Sequence, residues 1–298
     1  MSRTAGPAAT GRQALAMAGD LQSARLDEHL HTLAAELDAG PPRTLRTSRT
    51  RRRFWRGRKQ DVSGQVLVLW DIDRTLLYVG DIDRQVYRET YHELTGRTAG
   101  SLPKRGTGTT MPLAALRMLV ENGIAEDEAA SLLPAMVDLL PQVQRRHIDD
   151  IRRDGVLLPG AVAALRAVHD EPGFLPTIVT GNLKPNALLK LAAFDLTRHV
   201  HTDIGGYASD DMHRPSLVGI AQKRAEALTG QSFGRSETVI IGDSLEDVRT
   251  GREGGASVTA VVSGTTSADE LAAAGADLVL EDLTDQRRVV DSIRGLAG

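Results

Sequence analysis

Val66-Leu67-Val68-Leu69-Trp70-Asp71-Ile72-Asp73-Arg74-Thr75 is the stretch that decides the fold. Its first five residues are continuously apolar and include two valines. That pattern predicts a strand covered on both faces, since a half-exposed strand would alternate with polar residues. Two carboxylates follow the strand at once. Two further apolar strands also end in short polar segments, one of them again carrying carboxylates. Thr177-Ile178-Val179 runs into Thr180-Gly181-Asn182, and Thr238-Val239-Ile240-Ile241 runs into Gly242-Asp243-Ser244-Leu245-Glu246-Asp247.

Outward from these strands the apolar periodicity predicts helices over 83–95, 112–122 and 126–153, with Pro134 and Pro141 expected to break or kink the last. Helices follow at about 160–169, 185–193, 215–229, 245–254, 267–274 and 285–294. Strands are expected near 199–204, over 257–262 and over 277–280. From residue 160 onward helix and strand alternate with short links, which implies a parallel sheet with helices on both faces. Residues 82–155 hold no strong strand and read as a helical insertion. In such sheets ligands sit at the carboxyl ends of the strands, so the residues after each apolar run are where chemistry is sought.

Carboxylates gathered at the ends of buried strands repel one another and lose hydration unless a cation or hydrogen bonds compensate. A hard divalent cation such as magnesium is the natural compensation. The tetrapeptide Asp71-Ile72-Asp73-Arg74 recurs as Asp81-Ile82-Asp83-Arg84. The second copy follows the turn Tyr78-Val79-Gly80 and opens a helix, where an aspartate is explained as an N-cap. The first follows a buried strand and is the functional candidate.

Taken together the three strand ends resemble the haloacid dehalogenase (HAD) superfamily, in its phosphoglycolate-phosphatase-like branch with a helical C1-type cap. Asp71-x-Asp73-x-Thr75 is similar to the first motif, Thr180 to the second, and Gly242-Asp243-x-x-x-Asp247 to the fourth. The resemblance covers roughly residues 64–296. It implies an α/β fold with a Rossmann-like parallel sheet. The core would span 63–80 and 156–298, a helical cap 81–155, and a basic, poorly ordered N-terminal extension 1–62. It implies that Asp71 is a nucleophile forming an aspartyl phosphate and that Asp73 protonates the leaving oxygen and then deprotonates water. Magnesium is implied at Asp71, Asp243 and the backbone carbonyl of Asp73. The Thr180 hydroxyl and the amides of Gly181 and Asn182 would hold the phosphoryl oxygens. Asp247 and Thr75 are supporting residues, Asp247 positioning the basic residue or a metal-bound water.

The third motif of the family is a single cation, usually lysine. Here His213-Arg214-Pro215 stands where Lys-Pro is expected, and the role goes to Arg214, with Lys223, mid-helix, as the rival. Arginine keeps the charge and offers a bidentate fork to phosphate. The loop Lys104–Thr110 lies between insertion helices. It is either a plain flexible loop or a set of hydroxyls and cations for an anionic substrate. His169, His199 and His201 lack an accompanying metal motif and read as ordinary histidines.

The chain of 298 residues is 41% hydrophobic and 25% charged, enough for a core of one large domain or two ordinary ones. It has no cysteine, which excludes disulfides, thiolate metal sites and a cysteine nucleophile. Aromatics at 3% argue against a stacking platform for single strands. No apolar run is long enough to span a bilayer and no secretory signal is recognisable, so a cytoplasmic location is expected. Residues 1–62 carry a net charge of +6 and residues 63–298 a net of −9. Nine basic residues and no acidic one lie between Arg43 and Lys59. This tail, with a helical stripe over about 11–39, reads as a solvated basic segment or as a docking site for an acidic partner, nucleic acid or an anionic membrane.

The expected function is a magnesium-dependent phosphomonoester hydrolase acting on a small phosphorylated metabolite, as a monomer or homodimer. The alternatives are a phosphomutase or dehalogenase reaction on the same scaffold, and a non-catalytic regulatory protein.

Overall fold

The computed structural model describes residues 64–104 and 108–298. The basic tail and its helical stripe lie outside them, as does the middle of the Lys104–Thr110 loop.

Strand β1 (Val66–Trp70) lies at the centre of a six-stranded sheet. It is flanked by β4 (Phe174–Thr180) and β6 (Thr238–Gly242), in parallel register on both sides. Beyond β4 lies β5 (Gly206–Tyr207), and beyond β6 lie β7 (Ser257–Val261) and β8 (Leu278–Leu280), every pair parallel. The chain leaves β1 toward one edge and later returns to build the other. This strand-order reversal opens a crevice beyond the carboxyl end of β1.

Both faces of β1 are buried. Leu67 and Leu69 pack with Leu217, Val218 and Ala221 of α7 (Ser216–Thr229), and with Val248 of α8 (Leu245–Gly254). Val68 and Trp70 pack into a second cluster with α5 (Ala161–Asp170), α6 (Lys184–Ala193) and α10 (Gln286–Leu296). α9 (Ala268–Ala273) joins the first face through Leu271. Burial on both faces is the physical reason the strand sequence is continuously apolar.

The helical insertion comprises α1 (Ile82–Thr95), α2 (Met111–Glu121), α3 (Glu126–Arg146) and α4 (Ile148–Asp154). The chain enters it through β2 (Leu77–Tyr78) and leaves through β3 (Val156–Leu157), and these two pair antiparallel. The sequence contains no strong strand signal for this ribbon. Val86, Tyr91, Met118 and Met136 of the insertion belong to the same apolar cluster as Val68 and Trp70.

Three expectations are corrected. Helix α3 runs unbroken through Pro134 and Pro141. Pro134 is exposed and Pro141 half-buried, both off the buried stripe of Leu133, Met136, Val137 and Leu140, so packing along that stripe outweighs the missing hydrogen bonds. The interruption comes instead at His147, between α3 and α4. β4 begins three residues earlier than predicted, with Pro176 inside it. The Pro176 carbonyl accepts from the His201 amide (2.9 Å) rather than from β1, so the missing N–H falls where the β1 ladder does not need it. The strand expected near 199–204 is a 3₁₀ turn, Leu196–His199, followed by a bend, and the strand is Gly206–Tyr207. A Cβ on Gly206 would lie 2.3 Å from the Leu217 carbonyl oxygen, so only glycine lets the chain pass this close to α7.

Candidate active site

The amide of Asp71 donates to the Ile241 carbonyl (2.9 Å), which extends the sheet one residue past β1. The chain then folds back sharply. The amides of Leu76 and Leu77 both donate to the Ile72 carbonyl, and Arg74 takes a left-handed conformation with φ of 64°. Ile72 and Leu76 are fully buried and pin the turn. Asp71 and Asp73, two residues apart, are thereby presented together at the strand end.

Asp243 follows β6, and Asp247 sits in the first turn of α8. Asp71, Asp243 and Asp247 are buried, and each offers an oxygen within 4.8 Å of the others. Thr75 donates its hydroxyl to Asp243 Oδ1 (3.0 Å), which ties the first strand end to the third. The Ser244 amide and hydroxyl donate to Asp247 Oδ2 (3.0 and 2.6 Å), a capping box that fixes Asp247 against the start of α8. A Cβ on Gly242 would fall 2.3 Å from Asp247 Cγ, so the glycine before Asp243 is a steric requirement.

Arg214 enters from the start of α7 and is 3% exposed. Its Nη2 donates to Asp71 Oδ1 (2.9 Å) and to Asp247 Oδ1, and its Nη1 donates to the Gly108 carbonyl. Lys223, the rival cation, is exposed on α7 and outside this cluster. Gly108 has φ of 63°, and a Cβ there would strike Ser244, Glu246 and Arg214 within 2.8 Å. The end of the Lys104–Thr110 loop thus inserts into the cluster. It is fastened by Met111 N donating to the Gly181 carbonyl (2.7 Å) and by the Thr110 hydroxyl donating to the Met212 carbonyl (2.9 Å).

Three buried carboxylates face one buried guanidinium. Burial raises the Asp71 carboxyl well above its ordinary range, and Asp247 reinforces the rise while Arg214 opposes it. Burial, again reinforced by Asp247, pushes Asp243 up to about 7. The excess of negative charge and the all-oxygen donor set fit a hard divalent cation. The histidines are elsewhere: His169 and His199 stack edge-to-face with ring centroids 5.6 Å apart.

Thr180 and Asn182 are buried and, with Gly181, line the same cleft as Asp71 and Asp73. The Asn182 side chain, expected only to offer its backbone amide, donates to Thr180 Oγ1 (2.9 Å) and to Asp73 Oδ2 (2.7 Å). Sequence reasoning also missed Lys190 and Asp83. Lys190 Nζ donates to both oxygens of Asp73 (2.8 and 3.0 Å) and to Asp83 Oδ2 (2.9 Å). Asp81 does stand at the N-cap of α1, but without a side-chain capping bond. The repeated tetrapeptide therefore contributes to the site through Asp83. A signal for Lys190 was present: it occupies a position on the buried stripe of α6, beside Ala187 and Leu191, where a lysine is costly without partners.

Residues 68–252 match the haloacid dehalogenase-like hydrolase family. The chain belongs to that family. No match is found among curated proteins. Solved structures share the fold of this hydrolase. A Clostridium acetobutylicum protein called a predicted phosphatase is 16% identical, with a TM-score of 0.57 over 77% of this chain and 100% of its own. A Pseudomonas syringae hydrolase is 24% identical, with a TM-score of 0.55 over 77% of this chain and 99% of its own. A haloacid dehalogenase-like family protein from Streptococcus pneumoniae is 15% identical, with a TM-score of 0.54 over 76% and 98%. Among the described residues no helix is long and apolar enough to cross a membrane.

Proposed function

We propose that this HAD-family hydrolase is a magnesium-dependent phosphatase that cleaves small phosphomonoesters through an aspartyl-phosphate intermediate. The observation that carries the reading is the placement of Asp71. Its carboxylate ends the central strand, contacts Arg214, and shares a cleft with Asp73 and Thr180. A carboxylate can attack a phosphoryl group only if the repulsion between two anions is relieved. Asp71, Asp243 and the Asp73 carbonyl are the groups that would hold magnesium, which when bound supplies charge neutralisation between carboxylate and phosphate. Arg214 adds a fixed positive charge, held in place by Asp247. The Thr180 hydroxyl and the amides of Gly181 and Asn182 would bind phosphoryl oxygens. Asp73 would give a proton to the leaving oxygen and take one from water in the second step.

In this reading residues 63–80 and 156–298 form the catalytic core and 81–155 a cap that excludes bulk water and selects the substrate. That a protein called a predicted phosphatase shares the fold is consistent with this assignment. The test is turnover of 4-nitrophenyl phosphate by the full chain with magnesium, with chelator, and in Asp71→Asn. Activity is expected with magnesium alone and is expected to vanish in the other two. Full turnover by Asp71→Asn would overturn the nucleophile assignment. Formation of a phosphate-transferred isomer from a sugar phosphate, with no release of phosphate, would favour a mutase.

A further inference from the structure

Lys190 has no role in the chemistry just described, yet it is one of only five lysines in the chain and its side chain is 2% exposed. A buried ammonium is retained only where anions compensate it. Its three hydrogen bonds, two to Asp73 and one to Asp83, use every donor that an ammonium has. Asn182 adds a third bond to the Asp73 carboxylate. The Asp73 side chain is 34% exposed and opens to the cleft. Lys190 lines the same cleft, but all three of its donors are committed to carboxylates, so it reaches the cleft's chemistry through Asp73. The three charged groups come from three places: Asp73 from the turn after β1, Lys190 from α6, and Asp83 from the first turn of α1 in the helical insertion.

We propose that Lys190 is a positioning residue that holds the Asp73 carboxyl group toward the leaving oxygen of the substrate, with Asp83 anchoring it from the insertion. The proposal rests on the phosphatase reading above. In the first step the bond from phosphorus to the leaving oxygen breaks, the bond from Asp71 to phosphorus forms, and the Asp73 proton goes to the leaving oxygen. In the second step a water oxygen bonds to phosphorus, its proton goes to Asp73, and the Asp71–phosphorus bond breaks to release phosphate. Both proton transfers need Asp73 within hydrogen-bond reach of one small volume. A carboxylate on two rotatable bonds meets that need only when its oxygens are fixed from behind. Burial opposes the charge on Lys190, but the two carboxylates outweigh it and hold its pKa above the ordinary lysine value, so the anchor stays charged.

A merely structural lysine and a positioning lysine differ in one readout, the dependence on the leaving group. 4-Nitrophenolate departs readily without a proton, phenolate less so, and benzyl alkoxide poorly. In Lys190→Met, kcat/KM for 4-nitrophenyl phosphate is expected to fall about tenfold or less. For benzyl phosphate the fall is expected to be about 10²–10⁴-fold, the range general-acid catalysis supplies. Asp83→Asn keeps Lys190 on Asp73 and is expected to steepen the same dependence by a smaller factor. Lys190→Arg, which keeps the charge, is expected to recover part of the benzyl phosphate turnover. Equal losses on all three esters in Lys190→Met would overturn the proposal while leaving the phosphatase reading intact. Should Lys190→Met fail to fold, Asp83→Asn decides: a steeper leaving-group dependence supports the proposal and an unchanged one overturns it. A wild-type chain that hydrolyses none of the three esters overturns the phosphatase reading, and this inference with it.

Discussion

Asp243→Asn should remove a sizeable share of the pH dependence of stability in the absence of divalent cations. Asp243 is 3% exposed, and burial beside Asp247 moves its carboxyl from an ordinary 3.8 to about 7. An aspartate raised in this way binds its proton more tightly in the folded state. The folded protein then holds more protons than the unfolded chain between the two values, and stability falls as pH rises through that window. A rise of about three units at about 1.4 kcal/mol each amounts to about 4 kcal/mol, of which about 3 kcal/mol falls between pH 5 and pH 8. Asp71 is raised in the same direction and adds to the loss. At about 2–4 °C per kcal/mol, the wild type in chelator should melt roughly 6–12 °C lower at pH 8 than at pH 5. Saturating magnesium should recover most of that at pH 8, since binding at 100 times Kd contributes about 2.7 kcal/mol. The assay is scanning calorimetry of wild type and Asp243→Asn from pH 5 to pH 8, with chelator or magnesium. A chelated wild type equally stable at both ends of the range would refute the reasoning. So would magnesium stabilising Asp243→Asn as much as the wild type.

Gly264→Ala should weaken magnesium binding by about 10–100-fold by calorimetric titration, because its Cβ would lie 1.8 Å from Asp243 Oδ2 and must displace that carboxylate. His147 tests the joint of the insertion. Burial disfavours its imidazolium, but hydrogen bonds to Glu89 (2.8 Å) and Asp150 (3.0 Å) outweigh this and raise its pKa above the ordinary 6.5. Its contribution is complete below 6.5 and is lost as pH rises through the raised value, so the melting difference between wild type and His147→Gln should be larger at pH 5.5 than at pH 8.5. A chain starting at Val62 should keep the kcat and KM of the full chain on a phosphorylated-metabolite panel, because every proposed catalytic residue lies between Asp71 and Asp247.

Legibility in the sequence followed the range of the interactions involved. β1, β6 and α8 stand where the apolar runs and the helical periodicity put them, because burial leaves its imprint within a few residues. The antiparallel β2–β3 ribbon was not legible. Each strand is two residues long, and the partners are separated by the whole insertion. The unbroken α3 was misread for the opposite reason. The rule about proline is local, but what holds the helix together is the packing of its far face.

The repeated Asp-Ile-Asp-Arg shows where local context stops being a guide to function. The copy at Asp71 follows a buried strand, and the copy at Asp81 opens a helix, so local context offers capping as a full account of the second, although Asp81 makes no side-chain capping bond. Capping chemistry is satisfied within one helical turn, whereas a buried ammonium on another helix imposes a demand that only the fold transmits. Lys190 is 117 residues from Asp73 and 107 from Asp83 in sequence, and no spacing rule connects them. The cost of burying that lysine connects them: one carboxylate would satisfy part of its hydrogen-bonding capacity, and the second completes it. The repeat is then two aspartates from different elements converging on one cation. The functional reading of the second copy follows from asking what neutralises Lys190, a question the sequence poses at an apolar helix position and the fold answers.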